Sequence, residues 1–309
     1  MKPLSSILLI FLCVVWIGVI SIKAETRIIS YNVENLFDTQ HDSLKNDSAF
    51  LPDGSYHWNY YHYNRKLEHI AQVITNIAGW GSVPIVGLCE VENSNCLQDL
   101  CHQLRRFHYS FVHYESPDER GVDVALLYDT TMVKLLITKP LNVDLQSDYT
   151  RDILYISALI NGLDTIHAMV CHLPSQLGGS TASDWKRQLA KQLIQQQVDS
   201  ILSLQHNANI VVMGDMNTHP QNDIAGMYNL MIPFHDKGQG THKYQGTWSC
   251  LDQFYVSASL YNSAHVRIYA PKWLLEEDLK YLDFKPRRNY LGYRYQDGYS
   301  DHLPIILAF

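Results

Sequence analysis

Five short segments of this 309-residue chain carry side chains able to bind a metal ion or a phosphate, and each follows a run of apolar residues. In order they are Ser30-Tyr31-Asn32-Val33-Glu34-Asn35, Leu88-Cys89-Glu90-Val91-Glu92-Asn93, Cys171-His172-Leu173-Pro174-Ser175, Met213-Gly214-Asp215-Met216-Asn217 and Ser300-Asp301-His302-Leu303-Pro304. Strand ends are where α/β scaffolds assemble their sites, so the recurrence points to one cleft. Glu90 and Asp301 are hard carboxylate ligands of the kind Mg²⁺ and Ca²⁺ prefer, and Mg²⁺ takes one or two of these with water and substrate phosphate. His172 and His302 suit donation to phosphate oxygens or proton transfer near neutral pH. Asp252, in Ser249-Cys250-Leu251-Asp252-Gln253-Phe254, is suited to orient His302 and fix its tautomer. Taken singly, each residue reads more simply as a turn asparagine, a solvated carboxylate or a surface imidazole in a chain with 15 histidines.

The elements that must position these groups are legible as periodicity. Short β-branched runs read as strands: Arg27 to Tyr31, Ile85 to Leu88, Val122 to Tyr128, Ile153 to Leu159, Thr165 to Cys171, Ile210 to Met213, Phe254 to Val256 and Ile305 to Leu307. Two stretches have helical spacing. Asn64 to Ile77 places Leu67, Ile70, Ala71, Ile74 and Ile77 on one face, and Asp184 to Ser203 does so with Trp185, Leu189, Leu193, Ile194, Val198, Ile201 and Leu202. Without a long Gly/Ser/Pro linker, these elements predict one α/β domain over residues 25–309. His41 to Tyr63 and Tyr269 to Tyr299 read as long surface loops, which are often functional in compact domains.

Residues 1–24 differ in kind. Lys2 precedes the apolar stretch Leu4 to Ile22, and Lys23-Ala24-Glu25 then turns polar, the pattern of an export signal cleaved after Ala24 or retained as an anchor. Export places the protein in the periplasm, outside the cell or on the membrane. Removing Lys2 and Lys23 takes the formal charge from -7 to -9, which excludes a broadly basic protein that coats nucleic acid. It does not exclude catalysis on a phosphate substrate, because bound cations reverse the local sign of an acidic cleft. The five cysteines beyond residue 24 cannot all pair, so a disulfide scaffold is not expected. Cys89 and Cys171 read as small buried hydrophobes, and Cys96 and Cys101 as a bridge or as helical thiols.

The ordered set resembles the endonuclease/exonuclease/phosphatase superfamily, which includes DNase I-like and apurinic endonucleases, inositol phosphatases and sphingomyelinases. Gly214-Asp215-Met216-Asn217 and Ser300-Asp301-His302 carry the resemblance most specifically, supported by Ser30-Tyr31-Asn32, Cys89-Glu90, Cys171-His172 and Leu251-Asp252. It implies a four-layered α/β sandwich of two packed mixed β-sheets flanked by helices, with a cleft at one end. It also implies that Asn32 and Glu90 bind Mg²⁺, or Mn²⁺ or Ca²⁺, with Asp301 completing or supporting that site. Asp215 and Asn217 would then activate and orient water, His172 would bind phosphate or act as an acid, and His302 with Asp252 would be the base or a phosphate stabiliser. Glu119 to Tyr128, His172 to Gly179 and Leu274 to Asp278 resemble the exported bacterial branch, in which Arg120, Arg151 and Ser175 are candidate substrate contacts at the rim. Gln253 and Gln176-Leu177 depart from the usual pattern.

One metal polarising a phosphoryl oxygen, with preorganised donors around an in-line attack, suits this set. The leading expectation is an exported metal-dependent nuclease acting on nucleic acid, as a monomer with no obligate protein partner. The alternatives are a phosphatase or phospholipase of small phosphoesters, since fold does not decide substrate, and a noncatalytic binding protein. Tyr56, Trp58, Tyr60, Tyr61 and Tyr63 are candidate surfaces for stacking on bases or for touching sugar, lipid or protein.

Overall fold

The computed structural model describes residues 25–146, 148–162, 164–175 and 180–309. The leader and Gln176-Leu177 lie outside them. From the first described residue, β1 (Arg27–Leu36), α1 (Tyr60–Ala78), β2 (Ile85–Val91), α2 (Ser94–Gln103), β3 (Tyr109–His113) and β4 (Asp123–Asp129) lead to β5 (Val133–Leu141), β6 (Ile153–Ile160), β7 (Asp164–His172), α3 (Ser180–Leu204) and β8 (Asn209–Asp215). There follow β9 (Met227–Asn229), the single turn α4 (Ile232–His235), the ribbon of β10 (His242–Tyr244) and β11 (Thr247–Ser249), and β12 (Asp252–Ser257). After the single turn α5 (Ala258–Tyr261) come β13 (His265–Ile268), two hairpins formed by β14 (Leu275–Asp278) with β15 (Asp283–Pro286) and β16 (Tyr290–Leu291) with β17 (Arg294–Tyr295), and β18 (Ile305–Ala308).

Two six-stranded mixed sheets result, in the orders β13-β18-β1-β2-β4-β3 and β5-β6-β7-β8-β12-β9. Each has one parallel pair, β1 with β2 and β7 with β8, and every other main-sheet pairing is antiparallel. Parallel neighbours end at the same edge of the sheet, so four of the polar segments emerge together. Ile28, Ile85, Leu126 and Leu307 of one sheet meet Ile156, Val170, Met213 and Phe254 of the other in a core between the sheets. Each such side chain contributes roughly 1.5–3 kcal/mol relative to exposure. On the outer face of the first sheet, Leu67, Ile70, Ile74 and Ile77 of α1 and Leu97 and Leu100 of α2 cover Ile29, Tyr31, Val86 and Leu88. On the second, Ala190, Ile194, Val198 and Ile201 of α3 cover Tyr155, Met169, Ile210 and Val212. The fold is the four-layered α/β sandwich the sequence predicts.

Helix α1 starts where Asn59 accepts from the backbone N–H groups of Tyr61 and His62, and stops at Gly79 with φ 65°. The five apolar residues assigned to its inner face are all buried. The stripe of α3 is rotated from the predicted one. Trp185 is 50% exposed, while Arg187 and Lys191 lie on the buried face because their charged ends reach the Pro174 carbonyl and Asp223. Tyr269 to Tyr299 is not a plain loop but holds the two small hairpins. The unpredicted β5 and β13 expose alternate or more residues and β3 fully buries only Val112, which dilutes their apolar signal. Trp58 and Tyr63 are core residues, the first donating its indole N–H to the Phe37 carbonyl and the second its hydroxyl to Asp99, so of the aromatic stretch only Tyr56, Tyr60 and Tyr61 remain open to a ligand. Cys89, Cys96, Cys101, Cys171 and Cys250 are all free thiols. No helix among the described residues is long and apolar enough to cross a membrane.

At the junction of β2 and α2, buried Glu92 accepts from the Asp38 N–H at 2.7 Å and the Asn93 amide at 3.2 Å. Burial first, then the charges of Asp38, Asp47 and Asp42, push its carboxyl from 4.5 up to about 8 against that backbone donor. The folded chain therefore holds a proton that the unfolded chain releases above about pH 4.5, so this contribution to stability is present at low pH and lost as pH rises towards 8. Glu92→Gln, which keeps the acceptor and removes the charge, should raise the melting temperature at pH 8 by at least about 2 °C and leave it nearly unchanged at pH 5. Equal melting curves at pH 8 would contradict the assignment.

Candidate active site

The site forms where the parallel pairs end, and its geometry begins with backbone irregularities. Glu34 and Asn35 have φ of 55° and 57°, and Glu90 has φ 68°, all in the left-handed region. The β1–β2 register shifts between Asn32 and Leu36, and the β2–β4 register shifts between Cys89 and Val91. These are bulges, which re-aim side chains beside active sites, and each such residue costs on the order of 1–3 kcal/mol. Their effect is direct. The Asn35 N–H donates to Oε2 of Glu90 at 2.9 Å, and the Glu34 N–H donates to Oδ1 of Asn32 at 3.0 Å. On β8, Gly214 has φ 133°, and a Cβ there would lie 1.9 Å from the Cys171 carbonyl oxygen, so only glycine lets β7 and β8 run this close.

Asp215 is the centre of the arrangement. Its Oδ2 accepts from Nδ2 of Asn32 at 3.1 Å and lies 3.6 Å from Nε2 of His172 and 3.7 Å from Nε2 of His302, while Oδ1 accepts from the Asn217 N–H at 2.9 Å. Nδ2 of Asn32 also reaches Oε1 of Glu90 at 3.4 Å, and His172 faces the same oxygen at 3.9 Å. Nδ1 of His302 is 2.7 Å from Oδ2 of Asp252, and the Ser300 hydroxyl, which accepts from the His302 N–H, donates to the Asn32 carbonyl. Asn32, Glu90, His172, Asp215, Asn217, Asp252 and His302 are thus one connected cluster. The Asn217 amide itself turns back to the Leu173 carbonyl.

The remaining predicted residues are arranged less simply. Asp301 pairs with Arg288 at 3.1 Å and faces His242 at 3.9 Å. With Glu34, Asn35, Arg288, Asn289, Phe50, Tyr56 and Tyr290 it lines a cavity of about 230 Å³. Arg120 is at the rim, donating to Oδ1 of Asn35 at 2.7 Å and lying 4.0 Å from Glu90. Arg151 is not a rim residue: it is buried and faces Asp118 at 3.4 Å. The Ser175 carbonyl accepts from Ser183 and Arg187, so that residue helps anchor α3. Gln253 is buried and bonded to the Thr218 and Cys250 carbonyls and to Asn229, a structural substitute for an aromatic residue.

Three further residues join the site that spacing did not single out. Glu34 was readable in principle, two residues beyond Asn32, but its carboxylate turns inward only because of the bulge, accepting from the Asn289 N–H at 2.7 Å. His242 sits in the ribbon, its ring 4.8 Å from that of His302, and Arg288 lies between the hairpins. Neither follows an apolar run, so no strand-end signal marks them.

Burial lowers the affinity of His302 for its proton, but the carboxylates of Asp252, Asp215 and Asp301 overcome this and hold it charged well above the usual range. His172 is the opposite case, since burial and then the charges of Arg151, Arg120 and His302 keep it neutral. Burial pushes the Asp215 carboxyl up to about 6 against the pull of His302, and burial and then Asp301 push Glu34 to about 7. Burial and then His302 lower His242 to about 4. Glu34, Asp301 and Glu90 all act on the buried ammonium of Lys66. Hard oxygen donors crowded to the point that one carboxyl is driven towards neutrality, beside a polar cavity, fit a divalent cation of the Mg²⁺, Mn²⁺ or Ca²⁺ class. In Asp252→Asn the His302 titration midpoint, followed by ¹H–¹⁵N NMR of the imidazole, should fall. An unmoved midpoint would refute the dominant role of that pair.

Among curated proteins no match was found. Solved structures share the fold across nearly the whole chain. D. rerio TDP2 complexed with single strand DNA product is 16% identical, with 92% of this chain and 98% of that one covered and a TM-score of 0.58. The human nocturnin catalytic domain is 14% identical over 92% and 93%, with a TM-score of 0.58. Mannosyl-6-phosphatase of Bacteroides thetaiotaomicron is 14% identical over 92% and 99%, with a TM-score of 0.54. At these identities the likeness establishes the fold and leaves the substrate open. The sequence profile of the Endonuclease/Exonuclease/phosphatase family matches residues 27–309, and the chain belongs to that family of phosphoester hydrolases.

Proposed function

We propose that this chain is an exported, divalent-metal-dependent phosphodiesterase that hydrolyses nucleic acid. The observation that carries the reading is the buried carboxylate of Asp215 set between a neutral imidazole, His172, and a charged one, His302. Phosphoester hydrolysis needs a proton acceptor for water and fixed positive charge for the phosphoryl oxygens in one place. Asp215 is the acceptor in this reading, oriented by Asn32 and the Asn217 N–H. His302, locked by Asp252, stabilises the developing charge, and His172 donates a neutral hydrogen bond. Glu90 and Asn32 would hold the cation, with Glu34 and Asp301 behind them, and a cation there supplies Lewis-acid polarisation of the phosphoryl oxygen. Arg120 offers a donor to phosphate at the rim.

The partly exposed ring of Tyr56 on the wall of this cavity supports nucleic acid, because bases stack on aromatic faces at about 1–3 kcal/mol each. The same cavity, at about 230 Å³, favours the second reading, a phosphatase of a small phosphoester, since it holds a sugar or base more readily than a duplex. Export rests on the leader pattern of residues 1–24, and cell fractionation with N-terminal sequencing of the mature protein checks it.

Purified protein with Mg²⁺ should cleave DNA or RNA and lose that activity with chelator, whereas turnover of sugar phosphates alone would establish the second reading. Asp215→Ala and His302→Ala should each lower turnover by about 10³-fold with native circular dichroism, and wild-type turnover in Asp215→Ala would overturn the site. The pH profile should be bell-shaped. Activity appears as pH rises through about 6, where Asp215 gives up its proton, and is lost on the alkaline side, where His302 gives up its own. A profile flat from pH 5 to 7 contradicts Asp215 as the acceptor.

A further inference from the structure

A second group of ligand-type side chains lies outside the Asp215 cluster. His113 ends β3, Asp123 opens β4, and Glu115 lies in the connection between them. The side chains of His113 and Asp123 are each 2% exposed, and Nε2 of the histidine stands 3.4 Å from Oδ2 of the aspartate. Neither atom has a hydrogen-bond partner among the described residues. A direct bond is expected at about 2.7–3.2 Å, as at His302 and Asp252, where the distance is 2.7 Å. Facing each other as an ion pair without a hydrogen bond, the two buried atoms are incompletely satisfied, and a fully unsatisfied buried polar group costs about 1–3 kcal/mol.

The spacing has another meaning. Bonds of about 2.0–2.1 Å from a tetrahedral zinc ion to an imidazole nitrogen and a carboxylate oxygen put those donors about 3.3–3.4 Å apart. Glu115 adds a third donor: a carboxylate oxygen of Glu115, a ring nitrogen of His113 and an oxygen of Asp123 lie within 4.8 Å of one another. Its side chain is 58% exposed and now faces Nδ1 of His113 at 4.0 Å, the nitrogen that also meets the Ser94 hydroxyl, so in the proposed site Glu115 would turn towards the Nε2 side, with solvent in the fourth position. The other oxygen of Asp123 is held by the N–H and hydroxyl of Ser116, the support that orients a ligand. An imidazole with two carboxylates suits zinc, whereas Mg²⁺ requires octahedral oxygen.

We propose that His113, Glu115 and Asp123 form a zinc site, separate from the catalytic cation, that pins the connection between β3 and β4. That connection carries Arg120, bonded to Asn35 beside Glu90, and Asp118, the partner of Arg151. A bound ion therefore fixes the arginine side of the cleft.

Protein stripped with chelator, titrated with Zn²⁺ by calorimetry and with Co²⁺ by visible absorption, tests this without reference to turnover. Wild type and Glu90→Gln should both bind zinc at this site, show the intense bands of tetrahedral Co²⁺, and become slower to proteolyse within residues 114–122. His113→Gln should lose the bands, and Glu115→Gln, at an exposed position that does not threaten folding, should bind zinc at least about tenfold more weakly. Wild-type affinity and stoichiometry in Glu115→Gln and folded His113→Gln overturn the proposal, as does loss of all zinc binding in Glu90→Gln.

Discussion

A carboxylate whose side chain is 3% exposed survives only with partners, and Asp215 takes them from both sheets. Asn32 comes from β1 and His302 from the approach to β18, both in one sheet, while His172 and Asn217 come from β7 and the end of β8 in the other. Leaving such a charge uncompensated costs several kcal/mol, so this carboxylate adds a directional tie between the sheets to the larger, non-directional hold of the apolar core between them. The same requirement explains the steric tightness around it. Gly214 lets β8 pass the Cys171 carbonyl, which in turn accepts from the Cys89 thiol across the sheets.

Charge around Asp215 is divided rather than pooled. Asp252 and Asp215 keep His302 protonated, and burial, followed by the charges of Arg151, Arg120 and His302, keeps His172 neutral. Two imidazoles that begin alike therefore differ in protonation because of position alone, which is how a fold supplies a donor of each kind from one residue type. On the cavity side, Glu34 and Asp301 compete for Lys66 and Arg288, a crowding whose cost a divalent cation bound there would offset.

Much of this was legible in the sequence because strand ends carry their own punctuation. Asn32, Glu90, His172 and Asp215 each follow an apolar run, whereas Ser300-Asp301-His302, read as following one, leads into β18 instead; the eight runs read as strands all lie in the two main sheets. Asp252 was legible by its place at the head of β12. What spacing could not carry was orientation. Trp58 and Tyr63 look like surface aromatics until the Phe37 carbonyl and Asp99 are found to hold them inside. Arg151 looks like a rim cation until Asp118 is placed against it. His242 and Arg288 come from a ribbon and a hairpin junction whose positions are set by tertiary packing, and the stripe of α3 rotated because two basic stems took apolar places.

The bulges in β1 and β2 bear on how this chain can change length. A regular strand alternates inward and outward, and one extra residue reverses that parity for everything beyond it. In β2, Cys89 faces the second sheet and Val91 faces the helices, so Glu90 occupies the added place and points into the cleft. Deleting a single residue there would restore an ideal strand and turn the carboxylate-bearing edge out of the cleft. Insertions and deletions should therefore accumulate in irregular connections such as 41–47, whose lengths set no parity, while the ends of β1 and β2 keep their residue count even where side chains drift.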